Sequence, residues 1–293
     1  MAIVNVLLFL LVIKLPLIPL FPDKALSMGY DLTAPDTEII LPDILREVSG
    51  VTIIDTETLA FIQDERGVIY IFNTRENRIK FQIVFGEKGD YEDLVLVNND
   101  IYILRSDATL FRISGFMSAD FKVTRLRTGI PAVDNEGLCY DRDNDRLLIG
   151  CKSDIKTDNL KNRRAIYSFD LKTMSLHTNP VYILDPKNIN KESVNYSDNS
   201  DKGKKDKKKE PELRTSAIGI NPKTGKLFLI SAKDHILCVI NKDGTFGEIA
   251  DLDKDLFQQA EGIAFYPDGD MLITNEAGNK KPTLLRFNYR GDR

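Results

Sequence analysis

Three glutamates, Glu92, Glu136 and Glu261, stand at the same place in a recurring pattern: each opens a short apolar stretch and is followed by Asp93, Gly137 or Gly262. If the fold brings that position to one point, three carboxylates repel one another there. Leaving them uncompensated away from water costs several kcal/mol, so a cation, basic partners or protonation must offset the charge. A hard divalent cation suits all-oxygen donors, and Ca2+ tolerates irregular coordination by six to eight oxygens. The alternative without metal is that the glutamates bond backbone N–H groups or basic residues. Asp64, Glu65, Asn275 and Glu276 end the second apolar stretches of their units and offer further ligands. The predicted metal set is therefore Glu92, Glu136, Glu261, Asp64, Glu65 and Glu276, with Ca2+ as the ion.

Other chemistries are poorly represented. Asp141-x-Asp143-x-Asp145 copies the opening of an EF-hand loop, but Arg146 stands where glycine is needed and Lys152 where the closing glutamate belongs. It reads as a solvated turn. The sequence has no nucleophile elbow, P-loop or dinucleotide glycine pattern. The two histidines, His177 and His235, are predicted away from the acidic end, which argues against histidine-based catalysis. What the carboxylates leave open is metal-assisted hydrolysis, with an ion polarising a substrate and a carboxylate as base. A net charge of −4 and a pI near 5.4 give no global attraction for nucleic acid. The six lysines between Lys202 and Lys209 are interleaved with acids, as in a solvated loop. Cys139, Cys151 and Cys238 match no zinc spacing and are expected as buried thiols; a Cys139–Cys151 bridge is the alternative.

The pattern that aligns the glutamates is a repeat. A small or acidic pair leads into an apolar strand, then a turn rich in Asp, Asn, Pro or Gly, then a second apolar strand. It occurs at Gly50, Asp93, Gly137, Ala217 and Gly262, with spacings of 43, 44, 80 and 45 residues. The long step contains residues 189–213, whose SDNSDKGKKDKKKEPE has no apolar face and is expected to be a disordered insertion. A period near 44 with short strands is the signature of propeller blades. The expected fold is all-β: a five-bladed β-propeller over residues 35–290, each blade a four-stranded antiparallel sheet. Thr37–Leu41 has no partner of its own and is expected to close the ring against the last repeat. In a propeller the starts of innermost strands and the ends of second strands share one face, which is what brings the acids together.

At the N-terminus, Ile3–Ile13 is apolar except for Asn5, and Leu15–Phe21 continues the run. With Ala25-Leu26-Ser27 as a small-x-small cleavage site, residues 1–27 are expected to be a signal peptide or a membrane anchor. The stretches SGVTIIDTETLAFIQDERGVIYIFN, DYEDLVLVNNDIYIL, NEGLCYDRDNDRLLIG and QAEGIAFYPDGDMLITNEAG together resemble the SdiA-regulated family, distant relatives of the NHL-repeat propellers. That resemblance implies a five-bladed propeller with a calcium site at Glu92, Glu136 and Glu261, and a periplasmic or cell-envelope location. The family brings no established reaction. The expected role is a calcium-binding interaction module for a protein, glycan or small-molecule ligand, with no nucleic acid and with membrane contact only through an uncleaved N-terminus. The alternative is a metal-dependent hydrolase of lactonase or esterase type.

Overall fold

The computed structural model describes residues 28–155, 160–189, 194–195 and 211–291. The predicted signal peptide or anchor at residues 1–27 lies outside the described residues, as does most of the lysine-rich insertion. Among the described residues no helix is long and apolar enough to cross a membrane.

Strand β1 (Thr37–Ile40) is the first strand among the described residues and belongs to the last blade. Blade one is β2 (Val48–Ile53), β3 (Thr58–Gln63), β4 (Arg66–Asn73) and β5 (Arg78–Lys88). Blade two is β6 (Tyr91–Val97), β7 (Asp100–Arg105), β8 (Thr109–Ser114) and β9 (Lys122–Arg127). Blade three runs through β10 (Asn135–Asp141), β11 (Arg146–Cys151), β12 (Arg164–Asp170), β13 (Ser175–Leu176) and β14 (Tyr182–Leu184). Blade four holds β15 (Val194–Asn195), β16 (Ala217–Ile220), β17 (Leu227–Ser231), β18 (Ile236–Ile240) and β19 (Phe246–Asp251). Blade five is β20 (Ala260–Phe265), β21 (Met271–Asn275) and β22 (Thr283–Phe287), completed by β1. The result is the expected five-bladed propeller. β1 pairs antiparallel with β22, Thr37 opposite Arg286 and Ile40 opposite Thr283, so the outer edge of the last blade is supplied by the start of the propeller.

Two blades depart from the four-stranded plan. In blade three the outer strand is split: β13 and β14 both pair with β12, and Pro180 lies in the break, where a residue without N–H cannot serve the ladder. In blade four β15 adds a fifth strand, parallel to β19. β15 comes from within the segment expected to be disordered. The ends of that segment are also packed, Ile189 and Leu213 lying buried in the apolar cluster between blades three and four. The Asp234 carboxylate accepts the N–H groups of Glu212 and Leu213 at 3.0 and 2.8 Å.

There is no single central core. Five apolar clusters lie one between each pair of neighbouring blades. The blades approach closely enough that the position after each inner-strand opening must be small. A Cβ on Gly50 would come within 2.6 Å of the Asp93 Oδ1 and 2.8 Å of its Cα. Asp93 is the exception among Gly50, Gly137, Ala217 and Gly262, and its carboxylate is fully enclosed. It accepts its neighbour Leu94's N–H and, across the interface, the N–H of Leu138 in blade three, each at 2.8 Å. Burial raises its pKa well above the ordinary range despite these two bonds.

Candidate metal centre

Each glutamate reaches the channel because of a backbone irregularity. Antiparallel pairing of the first two strands slips between Val48 and Gly50, between Tyr91 and Asp93, between Asn135 and Gly137, and between Ala260 and Gly262. The residues in the slips are Ser49, Glu92, Glu136 and Glu261. A β-bulge leaves one residue outside the ladder and re-aims its side chain, and here the bulge repeats in four blades.

Two more rings join this one. Two residues upstream stand Glu47, Asp90, Asp134 and Gln259, and just past the second strands stand Asp64, Ser106, Lys152 and Glu276. The two rings are tied by main-chain bonds. The N–H groups of Asp64, Ser106, Lys152 and Glu276 donate to the carbonyls of Glu47, Asp90, Asp134 and Gln259 at 3.1, 2.9, 3.0 and 2.9 Å. Together the three rings line a cavity of about 540 Å3 at one end of the channel. Among the described residues blade four adds nothing to this lining: the matching positions hold Arg214, Ser216 and Ala232, and the Ser216 hydroxyl accepts the Ala232 N–H at 2.9 Å.

The charge is lopsided. Among the described residues, eight carboxylates, those of Glu47, Asp64, Asp90, Glu92, Asp134, Glu136, Glu261 and Glu276, share the cavity with one cation, Lys152. Burial, reinforced by the Glu136 carboxylate, pushes Glu92 up to about 10. Burial and Glu261 push Glu136 up to about 8, although Lys152 pulls the other way. Glu261 rises to about 7 by burial, restrained by Lys152 and Gln259. Asp64 rises to about 6 through burial and Glu47. Glu276 is pushed up to about 8 by burial and by the neighbouring Glu47 carboxyl. Burial would lower the Lys152 ammonium, but Glu136, on which it lies, holds it above its ordinary value.

One subset has ion-binding geometry. An oxygen from each of Glu92, Asp134 and Glu136 lies within 4.8 Å of the others. Oxygens on opposite sides of a calcium ion, each about 2.4 Å away, stand about that far apart. Glu136 is 5% exposed, and while its Oε1 accepts from Lys152, its Oε2 is buried without a hydrogen-bond partner. A buried carboxylate oxygen with no donor fits a cation, and the hard all-oxygen set fits Ca2+ or a similar ion.

Of the predicted residues, Glu92 and Glu136 come together, while Glu261, Asp64 and Glu276 line the other walls of the same cavity. Glu65 does not belong. The second strand of blade one ends so that Asp64 takes the ring position, and Glu65 is exposed in the following turn, its N–H on the Gln63 Oε1 at 2.6 Å. Asn275 is buried and turned away, donating to the Leu256 carbonyl and the Thr283 hydroxyl. His235 also departs from expectation. It sits in the turn after β17, at the acidic end of the molecule, but does not line the cavity. The Asp141 loop is a turn as expected: Asp141 holds Arg146 and Asn144, and Tyr140 donates to Asp145. The three cysteines are free and buried, with no Cys139–Cys151 bridge.

Neither a protein-family model nor a curated protein matches the chain in sequence. Solved structures do match in shape. Myxococcus xanthus glutaminyl cyclase aligns with a TM-score of 0.56 and 13% identity over 87% of this chain and 95% of its own. A streptogramin B lyase aligns at 0.47 and 14%, over 86% and 97%. Staphylococcus aureus virginiamycin B lyase aligns at 0.41 and 13%, over 86% and 73%. These neighbours are β-propellers. At such identities the likeness is one of fold, and no comparison places the chain in the SdiA-regulated family.

Proposed function

We propose that this propeller binds one divalent cation, Ca2+ by the hardness of its donors, through Glu92, Asp134 and Glu136. We propose further that it works as an exported cell-envelope module presenting the acidic end of its channel to a protein, glycan or small-molecule ligand. The observation that carries the metal reading is the convergence of those three carboxylates, one with an unpartnered buried oxygen. The apolar run near the N-terminus supports export.

A second reading, a metal-dependent hydrolase, is favoured by one feature: the ligands come from two adjacent blades, and the rest of the cavity remains open beside them. A bound ion would there supply Lewis-acid polarisation of a substrate oxygen. Glu261 and Glu276, with proton affinities raised toward neutrality, are then the groups able to hold or release a proton next to it. The enzymatic character of the M. xanthus structural neighbour is compatible with this reading.

The test is calorimetric titration of chelator-stripped protein with CaCl2, alongside Asp134→Asn and Glu65→Gln. The metal reading requires one ion per chain, binding weakened at least tenfold by Asp134→Asn, and Glu65→Gln behaving as wild type. Folded protein that takes up no divalent ion would refute it.

A further inference from the structure

The inner strands carry a second regularity, at the opposite end of the channel. Two residues beyond the bulge position stand Val51, Leu94, Leu138, Ile218 and Ile263, all buried, and they separate the acidic cavity from what lies below. Two residues further on stand Ile53, Leu96, Tyr140, Ile220 and Phe265, one from each blade and every one only partly buried. They surround a chamber of about 570 Å3 whose inner wall includes Val51, Leu94, Leu138 and Ile263. Large apolar side chains in a propeller ordinarily pack between blades, as the five clusters do here. Here Ile53, Leu96, Tyr140, Ile220 and Phe265 each pack one side against a neighbouring cluster and leave the other uncovered; five such faces around a concave space of small-molecule volume mark a ligand pocket.

The polar groups around the chamber are mostly spoken for. Asp55 accepts the N–H groups of Glu57 and Thr58 at 2.9 and 2.8 Å, the Thr52 hydroxyl accepts the Leu96 N–H at 3.0 Å, and Tyr140 donates to Asp145. Arg142 is not: among the described residues its exposed guanidinium has no carboxylate partner, and it lines both the chamber and a groove leading out between blades three and four. Lys242, which also has no ionic partner among the described residues, lies further along that groove. Among the described residues its acids are Asp141, held by Arg146, and Asp143, so two cations without an ionic partner face one such carboxylate in the groove, and Asp55 adds a negative charge on the chamber wall.

We propose that this chamber is a second binding site, independent of the acidic cavity. It takes a small molecule with an apolar body of alkyl or aryl character, seated on Ile53, Leu96, Ile220 and Phe265, and a carboxylate directed at Arg142.

The experiment uses the full chain and 1-anilinonaphthalene-8-sulfonate as a fluorescent probe, displaced by decanoate or by decanol. Native protein is expected to bind one probe saturably. Decanoate should displace it about tenfold better than decanol, the effect of one charge-assisted contact. Arg142→Gln should bring decanoate to the level of decanol and leave decanol unchanged, Phe265→Gln should weaken both, and Glu136→Gln should change neither. Thermal melts accompany each variant, and should Phe265→Gln fail to fold, Ile53→Gln carries the same test. Absence of saturable binding to the native protein overturns the proposal and leaves the chamber to residues 1–27 or a second copy. So does binding that survives Phe265→Gln or Ile53→Gln in a protein that melts as wild type. Equal displacement by decanoate and decanol overturns the carboxylate assignment.

Discussion

Replacing Glu136 with glutamine should stabilise the protein without metal and destabilise it, relatively, with metal. In the unfolded chain the Glu136 carboxyl loses its proton near 4.5, whereas in the folded protein it holds that proton up to about 8. The folded state therefore binds the extra proton across this interval. The stability associated with protonation is complete below pH 4.5 and falls as pH rises toward 8. Each pH unit in the window is worth about 1.4 kcal/mol, so three units to pH 7.5 set an upper limit of about 4 kcal/mol. Relaxation and water entry into an open cavity reduce this to about 2 kcal/mol. Glutamine keeps the shape, carries no charge and escapes that cost. In chelator at pH 7.5, Glu136→Gln should melt about 4–8 °C above wild type, and the gap should vanish at pH 4.5. At a Ca2+ concentration a hundredfold above Kd, the wild type should gain about 2.7 kcal/mol that the variant lacks, closing or reversing the gap. Differential scanning calorimetry at two pH values, with and without Ca2+, makes the comparison. A variant that melts below wild type in chelator at pH 7.5, or a gap that persists unchanged at pH 4.5, would show that Lys152 fully offsets the Glu136 charge and that its burial costs nothing.

Lys152→Met removes the one positive charge that faces the carboxylates among the described residues, so Ca2+ affinity should rise by about tenfold or more by calorimetry, the direction Coulomb interaction with a divalent ion requires. Asp93→Ala strands the Leu94 and Leu138 N–H groups in a closed interface, costing about 2–4 kcal/mol in urea unfolding; Asp93→Asn, which keeps an acceptor, should cost about half that. Cys139, Cys151 and Cys238 are buried, and burial pushes all three thiols up, Cys151 to about 12. Ellman's reagent should find no reactive thiol in the native protein and three after denaturation.

The ring was legible from sequence because the repeat constrains sequence directly: strand, turn and strand recur at nearly constant spacing, and only residues 189–213 break it. Closure by β1 was legible for a related reason, since a strand without a neighbour must pair somewhere. Glu92, Glu136 and Glu261 could be aligned, but the bulge that turns them inward is a matter of backbone register, which apolar patterning does not encode. The same one-residue ambiguity separates Asp64 from Glu65: both follow the second strand, and only the Asp64 N–H bond to the Glu47 carbonyl decides which faces the channel. Asp134, the third member of the proposed ion site, escaped notice although the signal was present. The residues two places before the bulge, Glu47, Asp90, Asp134, Arg214 and Gln259, are polar in every repeat. Extending the alignment upstream of the apolar strand would have found them. Lys152 was seen only as a failed EF-hand position, because its pairing with Glu136 requires the hairpin that sets the first two strands of blade three side by side.

The most direct test of the account is a crystal structure of the protein grown with Ca2+, read by anomalous diffraction. One peak is expected, bounded by Glu92, Asp134 and Glu136, with oxygen distances of about 2.3–2.6 Å and the unpartnered Glu136 oxygen among the ligands. A fully ordered cavity with no ion, the Lys152 ammonium centred among those carboxylates in its place, would contradict it.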